Sequence, residues 1–127
     1  MFSSAKADIV TNSSGAATVY ITHGLNRKPN GFLVALKYTP VTLDTGAGLT
    51  ITGESSGIPI LTKASAGTAI VFFYPRALNN SVADGSAGAV PAEFIPIEDE
   101  RIKVVVASGG DTKTGSIEAI LMINSPY

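Results

Sequence analysis

Lys113-Thr114-Gly115 and Ser3-Ser4-Ala5-Lys6 are the residues whose types and spacing come nearest to chemistry in this chain. Together they imitate the K-T-G and S-x-x-K elements of serine acyl transfer. That chemistry needs the serine at the start of a buried helix and an S-x-N element between the two motifs. Nothing around Ser3 has a helical pattern, so the acyl-enzyme reading fails. A phosphate cradle fails as well. It requires G-x-x-x-x-G-K-[ST] between a strand and a helix, whereas GGDTKTG places its lysine before the last glycine and then enters an apolar strand pattern. Gly109, Gly110, Asp111 and Gly115 are residues that a tight bend uses for positive φ and side-chain-to-backbone bonds. The stretch is expected to connect a C-terminal hairpin spanning 100–123.

Four other features bear on chemistry or contacts. His23 is the sole histidine and has no second ligand type at metal spacing, which favours a structural or surface histidine over a zinc or catalytic one. The run Glu98-Asp99-Glu100 reads as a solvated loop entering a strand, with Asp99 or Glu100 pairing with Arg101. The N-x-S sequons at Asn12 and Asn79 carry meaning only in a secreted chain. Arg76 follows an apolar run and opens a small-residue stretch. It either anchors that stretch, through a carboxylate or backbone carbonyls, or contacts a partner subunit. Arg76 is thus the one candidate interface residue; the expected catalytic, metal and cofactor-binding sets are empty, and the chain is expected not to be an enzyme.

The elements that would position these residues are all strand-like. The chain has 127 residues, of which 45% are hydrophobic, enough for one packed domain and too much for disorder. Charged residues make up 15%, with a net charge of −1, against ~25% in ordinary globular domains. Without a basic stripe a nucleic-acid surface is disfavoured. No run approaches the ~18 apolar residues of a membrane span, the first residues lack a basic-then-apolar signal pattern, and there is no cysteine. Low charge suggests that part of the surface is covered by other protein.

Period-2 alternation dominates. It predicts strands near 6–11, 16–23, 32–38, 49–54, 58–63, 68–75 and 94–97, and over the two apolar runs of the terminal hairpin, with turns rich in Gly, Asn, Ser and Pro. Strands 32–38 and 68–75 are apolar on both faces, which suits two-sided burial or an interface. Residues 76–93 form a long loop, expected, like the N-terminal residues, to order against neighbours. About eight main strands imply an all-β, single-domain antiparallel β-sandwich or jelly roll.

GLTITGESSGIPILTK, then YPRA leading into a Gly/Ala-rich loop, then ERIKVVVASGGDTKTGSIEAILM, resembles a group of small virion proteins of tailed bacteriophages. The resemblance covers roughly residues 48–122. It implies a virion component, in particular a capsid decoration (cement) protein that binds the head lattice through the major capsid protein. It also implies a homo-oligomer, with a trimer favoured. A role in the tail, tail tube or head–tail junction is the alternative, followed by a carbohydrate- or receptor-binding β module. The last is weakened by the absence of Trp and the presence of only four Tyr, since sugar sites use exposed aromatic platforms.

Overall fold

The computed structural model describes residues 2–23 and 27–123. Residues 24–26, between the expected strands 16–23 and 32–38, and the terminal Tyr127 lie outside them. In chain order the strands are β1 (Phe2–Val10), β2 (Ala17–Ile21), β3 (Gly31–Thr39), β4 (Gly48–Gly53), β5 (Pro59–Lys63), β6 (Val71–Phe73), β7 (Ala77–Asn80), β8 (Ala87–Glu93), β9 (Ile95–Ile97), β10 (Ile102–Ala107) and β11 (Thr114–Met122). The protein is an all-β antiparallel sandwich. One sheet runs β1-β11-β3, with β6 and β9 sharing the far edge of β3; the other runs β2-β10-β4-β5.

The alternation legible in the sequence sorts each strand between core and solvent. Ala5, Ala7 and Ile9 of β1, Leu36 and Tyr38 of β3, and Ile117, Ala119 and Leu121 of β11 point inward. They share one apolar cluster with Leu49 and Ile51 of β4 and Ile102, Val104 and Val106 of β10. On β4, Thr50 stays exposed between Leu49 and Ile51, as a strand with one wet face requires. Along one side the sheets approach through an isolated Lys6–Thr22 bridge.

Two expectations are corrected. The terminal stretch 100–123 is not a hairpin, because β10 pairs with β2 and β4 while β11 pairs with β1 and β3. Its polar middle is a corner that carries the chain from one sheet to the other. Both apolar runs have a core face, and each satisfies it in a different sheet. The expected loop 76–93 contains two paired strands, β7 and β8, which raises the count among the described residues to eleven. The N-terminal residues from Phe2 onward form β1, paired with β11.

Residue placement on β4 leads to a simple test. Ile51→Ala should destabilise the fold by about 2–5 kcal/mol, while Thr50→Ala should change it by no more than about 0.5 kcal/mol. Urea titrations of the two variants check this. Equal costs would mean that the faces of β4 are wrongly assigned.

Candidate functional site

The residues nearest to chemistry turn out to be scaffolding. Ser3 and Lys6 lie on one strand at an odd separation, so their side chains leave opposite faces. Lys113 sits beyond the other end of β1, where its N–H donates to Thr11 Oγ1 at 2.8 Å, roughly 25 Å of extended chain from Ser3. Thr11 is buried and its hydroxyl donates to the Gly110 carbonyl at 2.6 Å. The corner is further held by Gly109 N–H to Gly15 O (2.9 Å) and Asp44 N–H to Gly109 O (3.0 Å). Gly110 has φ of 93°, and a Cβ there would meet the Asp44 carboxylate at 2.6 Å. The positive φ is what favours glycine at that point, since the Asp44 carboxylate is the end of a movable side chain. His23 is tied into the same kind of scaffolding. Its backbone pairs with Arg27, and its Nε2 lies 3.4 Å from the Ser3 hydroxyl.

The carboxylate run resolves differently from the expectation. Arg101 pairs with neither Asp99 nor Glu100. Its guanidinium forms a two-pronged bond with Glu54, Nε reaching Oε1 at 2.7 Å, and lies over the Tyr20 ring at 4.0 Å. Glu100 is buried instead, and its Oε1 accepts the Ser55 and Ser56 N–H groups at 2.8 and 2.9 Å. Burial works to raise the Glu100 carboxyl, but the bonds from Ser56 and Ser55 outweigh it and hold the carboxyl below its ordinary value. The turn between β4 and β5 thus takes an acceptor from the start of β10. A buried, doubly bonded carboxylate explains why this acid is not solvated.

Glu100 should therefore leave a mark on acid stability. Its contribution is complete above the ordinary carboxylate range near pH ~4.3 and is lost as pH falls through the lowered folded value. Thermal melts between pH 3 and 6 should show a shallower acid limb for Glu100→Gln than for the parent. Glu100→Ala, which leaves two N–H groups unmatched, should cost about 1–3 kcal/mol at neutral pH. Parallel acid limbs for parent and Gln variant would contradict the assignment.

Two shallow depressions, each about 220 Å³, lie on the sandwich, one lined by Lys6, Lys37, Thr39, Ser116 and Glu118 and the other mainly by β4, β5 and β10 residues. Neither assembles a nucleophile with a base. Among the described residues no group of three or more His, Asp or Glu could hold a metal, and no helix is long and apolar enough to cross a membrane.

The unusual feature is a break in the edge of the first sheet. β6 pairs with Leu36–Tyr38 and β9 with Gly31–Leu33. They are two halves of one edge strand, separated by the excursion that carries β7 and β8. Opposite the break, β3 bulges: Ala35 faces Ile120 and Leu33 faces Leu121, leaving Val34 without a cross-strand partner. Arg76 fills the gap. Its Nη1 donates to the Val34 carbonyl at 3.0 Å and to the Pro75 carbonyl at 2.8 Å, and its guanidinium lies 4.3 Å from the Phe94 ring centre. It replaces a missing edge strand and joins the outgoing limb of the excursion to the returning one.

Beyond that clamp the β7–β8 arm is exposed along its length, with only Gly88 partly covered. Leu78 and Pro91 are cross-strand partners and so share a face. At the tip, Asp84 Oδ1 accepts the Ser86 N–H at 3.0 Å, and Asn80 donates to the Gly85 carbonyl at 2.9 Å. A two-stranded ribbon alone is marginal in water, and this one exposes Leu78, Val82 and Val90. The outer face of the first sheet carries a second apolar feature. Phe2, Met122, Phe32 and Pro96 are successive partners in register across four strands, with Phe2 67% and Phe32 44% exposed.

Of the sequence-based candidates, Arg76 has a geometry that anchors the excursion through backbone carbonyls. Its partner Phe94 and the Phe2–Met122–Phe32 row escaped the sequence reading, although an apolar residue recurring on the wet face of each strand was the available signal. The chain matches no protein-family model and no curated protein sequence.

The clamp makes its own prediction. Arg76→Ala removes the donor to Val34 and the cation over Phe94, and should speed proteolytic nicking within 77–93 at least about tenfold while costing the sandwich about 1–3 kcal/mol. Limited proteolysis followed by mass mapping reads both the site and the rate. Unchanged cleavage would show that the arm does not depend on Arg76.

Proposed function

We propose that this chain is a non-enzymatic structural subunit of a tailed-bacteriophage virion, of the capsid-decoration type, which self-associates and binds the assembled head lattice. The observation that carries the reading is the clamped, exposed arm 77–93 beside an unpartnered apolar row. A small sandwich with so little charge would not keep such surface in water without a partner to cover it. Supporting it from the sequence is the resemblance of residues 48–122 to small virion proteins. A trimer would suit a subunit that bridges capsomers, and the major capsid protein is the proposed lattice partner.

The mechanism is linkage. A subunit that binds the closed shell and not its separated parts stabilises the shell by mass action, and many copies on one lattice add avidity to weak individual contacts. Among the tyrosines, Tyr38 is wholly buried and Tyr20 lies beneath Arg101, so neither offers an open face to a sugar, whereas Tyr74 is exposed.

Heads purified without this protein provide the test. Added protein should co-sediment with them at saturating stoichiometry and raise their disruption temperature. A variant in which a short Gly-Ser turn replaces residues 78–91 should bind at least about tenfold more weakly, with the thermal midpoint of its sandwich little changed. Binding to tails alone would move the subunit to the tail, and binding to neither would end the virion reading.

A further inference from the structure

The bond between Asn30 and Gly31, at the entry to β3, joins an unrestrained side-chain amide to an unscreened backbone nitrogen. Asn30 is exposed, and its side chain makes no hydrogen bond among the described residues. The other described asparagines are held in place. Asn12 Oδ1 accepts the Ser14 and Ala16 N–H groups, each at 3.0 Å. Asn80 donates to the Gly85 carbonyl, and Asn79 Oδ1 occupies the space that a Cβ at Gly88 would need. Gly31 has no side chain to screen its own nitrogen, and the fold cannot exchange it for a residue that would. Its φ is 130°, and a Cβ there would meet the Met122 carbonyl oxygen at 2.6 Å, a backbone atom that cannot swing aside. The chain is anchored on both sides of Asn30. Pro29 is buried and its carbonyl accepts the Glu100 N–H at 3.3 Å, while Gly31 stands opposite Ile97 of β9.

We propose that Asn30–Gly31 is a site of spontaneous covalent modification whose product loosens the edge that holds the arm. The Gly31 nitrogen attacks Asn30 Cγ. The N–Cγ bond forms, the Cγ–Nδ2 bond breaks, and ammonia leaves with the Gly31 amide proton. A five-membered succinimide remains. Water opens it at one carbonyl to give aspartate, or at the other to give isoaspartate, in which the main chain runs through the former side-chain carbonyl. No electrons are exchanged, and either product adds a negative charge to a chain whose net charge is −1. Isoaspartate also adds one main-chain atom between two anchored residues, so either the Pro29–Glu100 bond or the Gly31–Ile97 pairing must yield. β9 is held to β3 by only three residue pairs, and Phe94, which stacks on Arg76, directly precedes it. Losing the first of those pairs frees the returning limb of the arm. Asp84–Gly85 at the tip of the arm has the same residue order without the same freedom. Asp84 Oδ1 accepts the Ser86 N–H, and the Gly85 N–H donates to the Ser81 carbonyl at 2.8 Å.

Folded protein aged at physiological temperature and pH, then mapped by peptide mass spectrometry with electron-transfer fragmentation, tests the chemistry. The peptide carrying Asn30 should gain about 1 Da as two products with isoaspartate in excess, while Asn12, Asn79 and Asn80 stay intact. Asn30→Gln, whose amide would have to close a six-membered ring, should convert at least about tenfold more slowly. An intact Asn30, aspartate without isoaspartate, or equal conversion at the other three asparagines would overturn the site. The isoaspartyl chain, separated by chromatography, then goes to limited proteolysis. It should be nicked within 77–93 at least about threefold faster than the parent. Asn30→Asp, which carries the charge without the added atom, should match the parent. Equal rates for the isoaspartyl and parent chains, or an Asn30→Asp variant nicked as fast as the isoaspartyl chain, would overturn the loosening.

Discussion

A single apolar layer, shared by two antiparallel sheets, is the constraint on which everything else in this molecule depends. Ile102, Val104 and Val106 from one sheet and Ile117, Ala119 and Leu121 from the other are fully or almost fully buried, although only a short polar stretch separates their strands in sequence. Pairing the two strands with each other would have placed both apolar faces on the same side of one sheet. Assigning them to opposite sheets lets each face meet the other across the core, the arrangement by which a sandwich buries its strands. The corner between them must then be short and strongly bent. Thr11, Gly15, Asp44 and Gly110 supply the hydrogen bonds, space and positive φ that allow it.

The same constraint explains how the edge of a sheet can tolerate a long insertion. β6 and β9 contribute core residues on either side of the break, including Ile95 and Ile97, which are buried, so the edge keeps its place although its middle is missing. What the break exposes is backbone, and an unmatched carbonyl at a bulge is costly where water is limited. Arg76 meets that need with a side chain whose planar fork can serve two carbonyls and stack on a ring together. The arm therefore leaves from a rigid base. A surface that must meet another protein benefits from such a base, because less freedom remains to be lost on contact.

Reading the residues alone succeeded where the pattern was local. The alternation of Leu49, Thr50, Ile51 and Thr52 marked β4, and the two-sided apolar character of 32–38 marked a strand with an unusual outer face, where Phe32 is exposed. It failed where partners were distant. Glu100 and Arg101 are neighbours, yet one serves the turn at Ser55–Ser56 and the other Glu54, more than forty residues away. Asn, Ser, Ala and Gly between 77 and 93 gave no alternating signal, because β7 and β8 have no core face to bury and their pairing is sustained by backbone bonds and the turn at Ser81–Ser86.

The sequence by itself determined the class of this protein: its period-2 apolar residues, regular turn residues and lack of helical pattern admit an all-β sandwich and little else. It also argued against the acyl-enzyme and phosphate readings of the K-T-G stretch, since each needs a helix where the sequence has only strand and turn patterns. Only the tertiary structure decided which strands pair, that the terminal runs belong to opposite sheets, and that Arg76 closes a broken edge beneath a projecting arm. The physical reason is range. Alternation and turn preference are set within a few residues, whereas sheet membership and the matching of a buried carbonyl or carboxylate depend on groups that only the folded chain brings together.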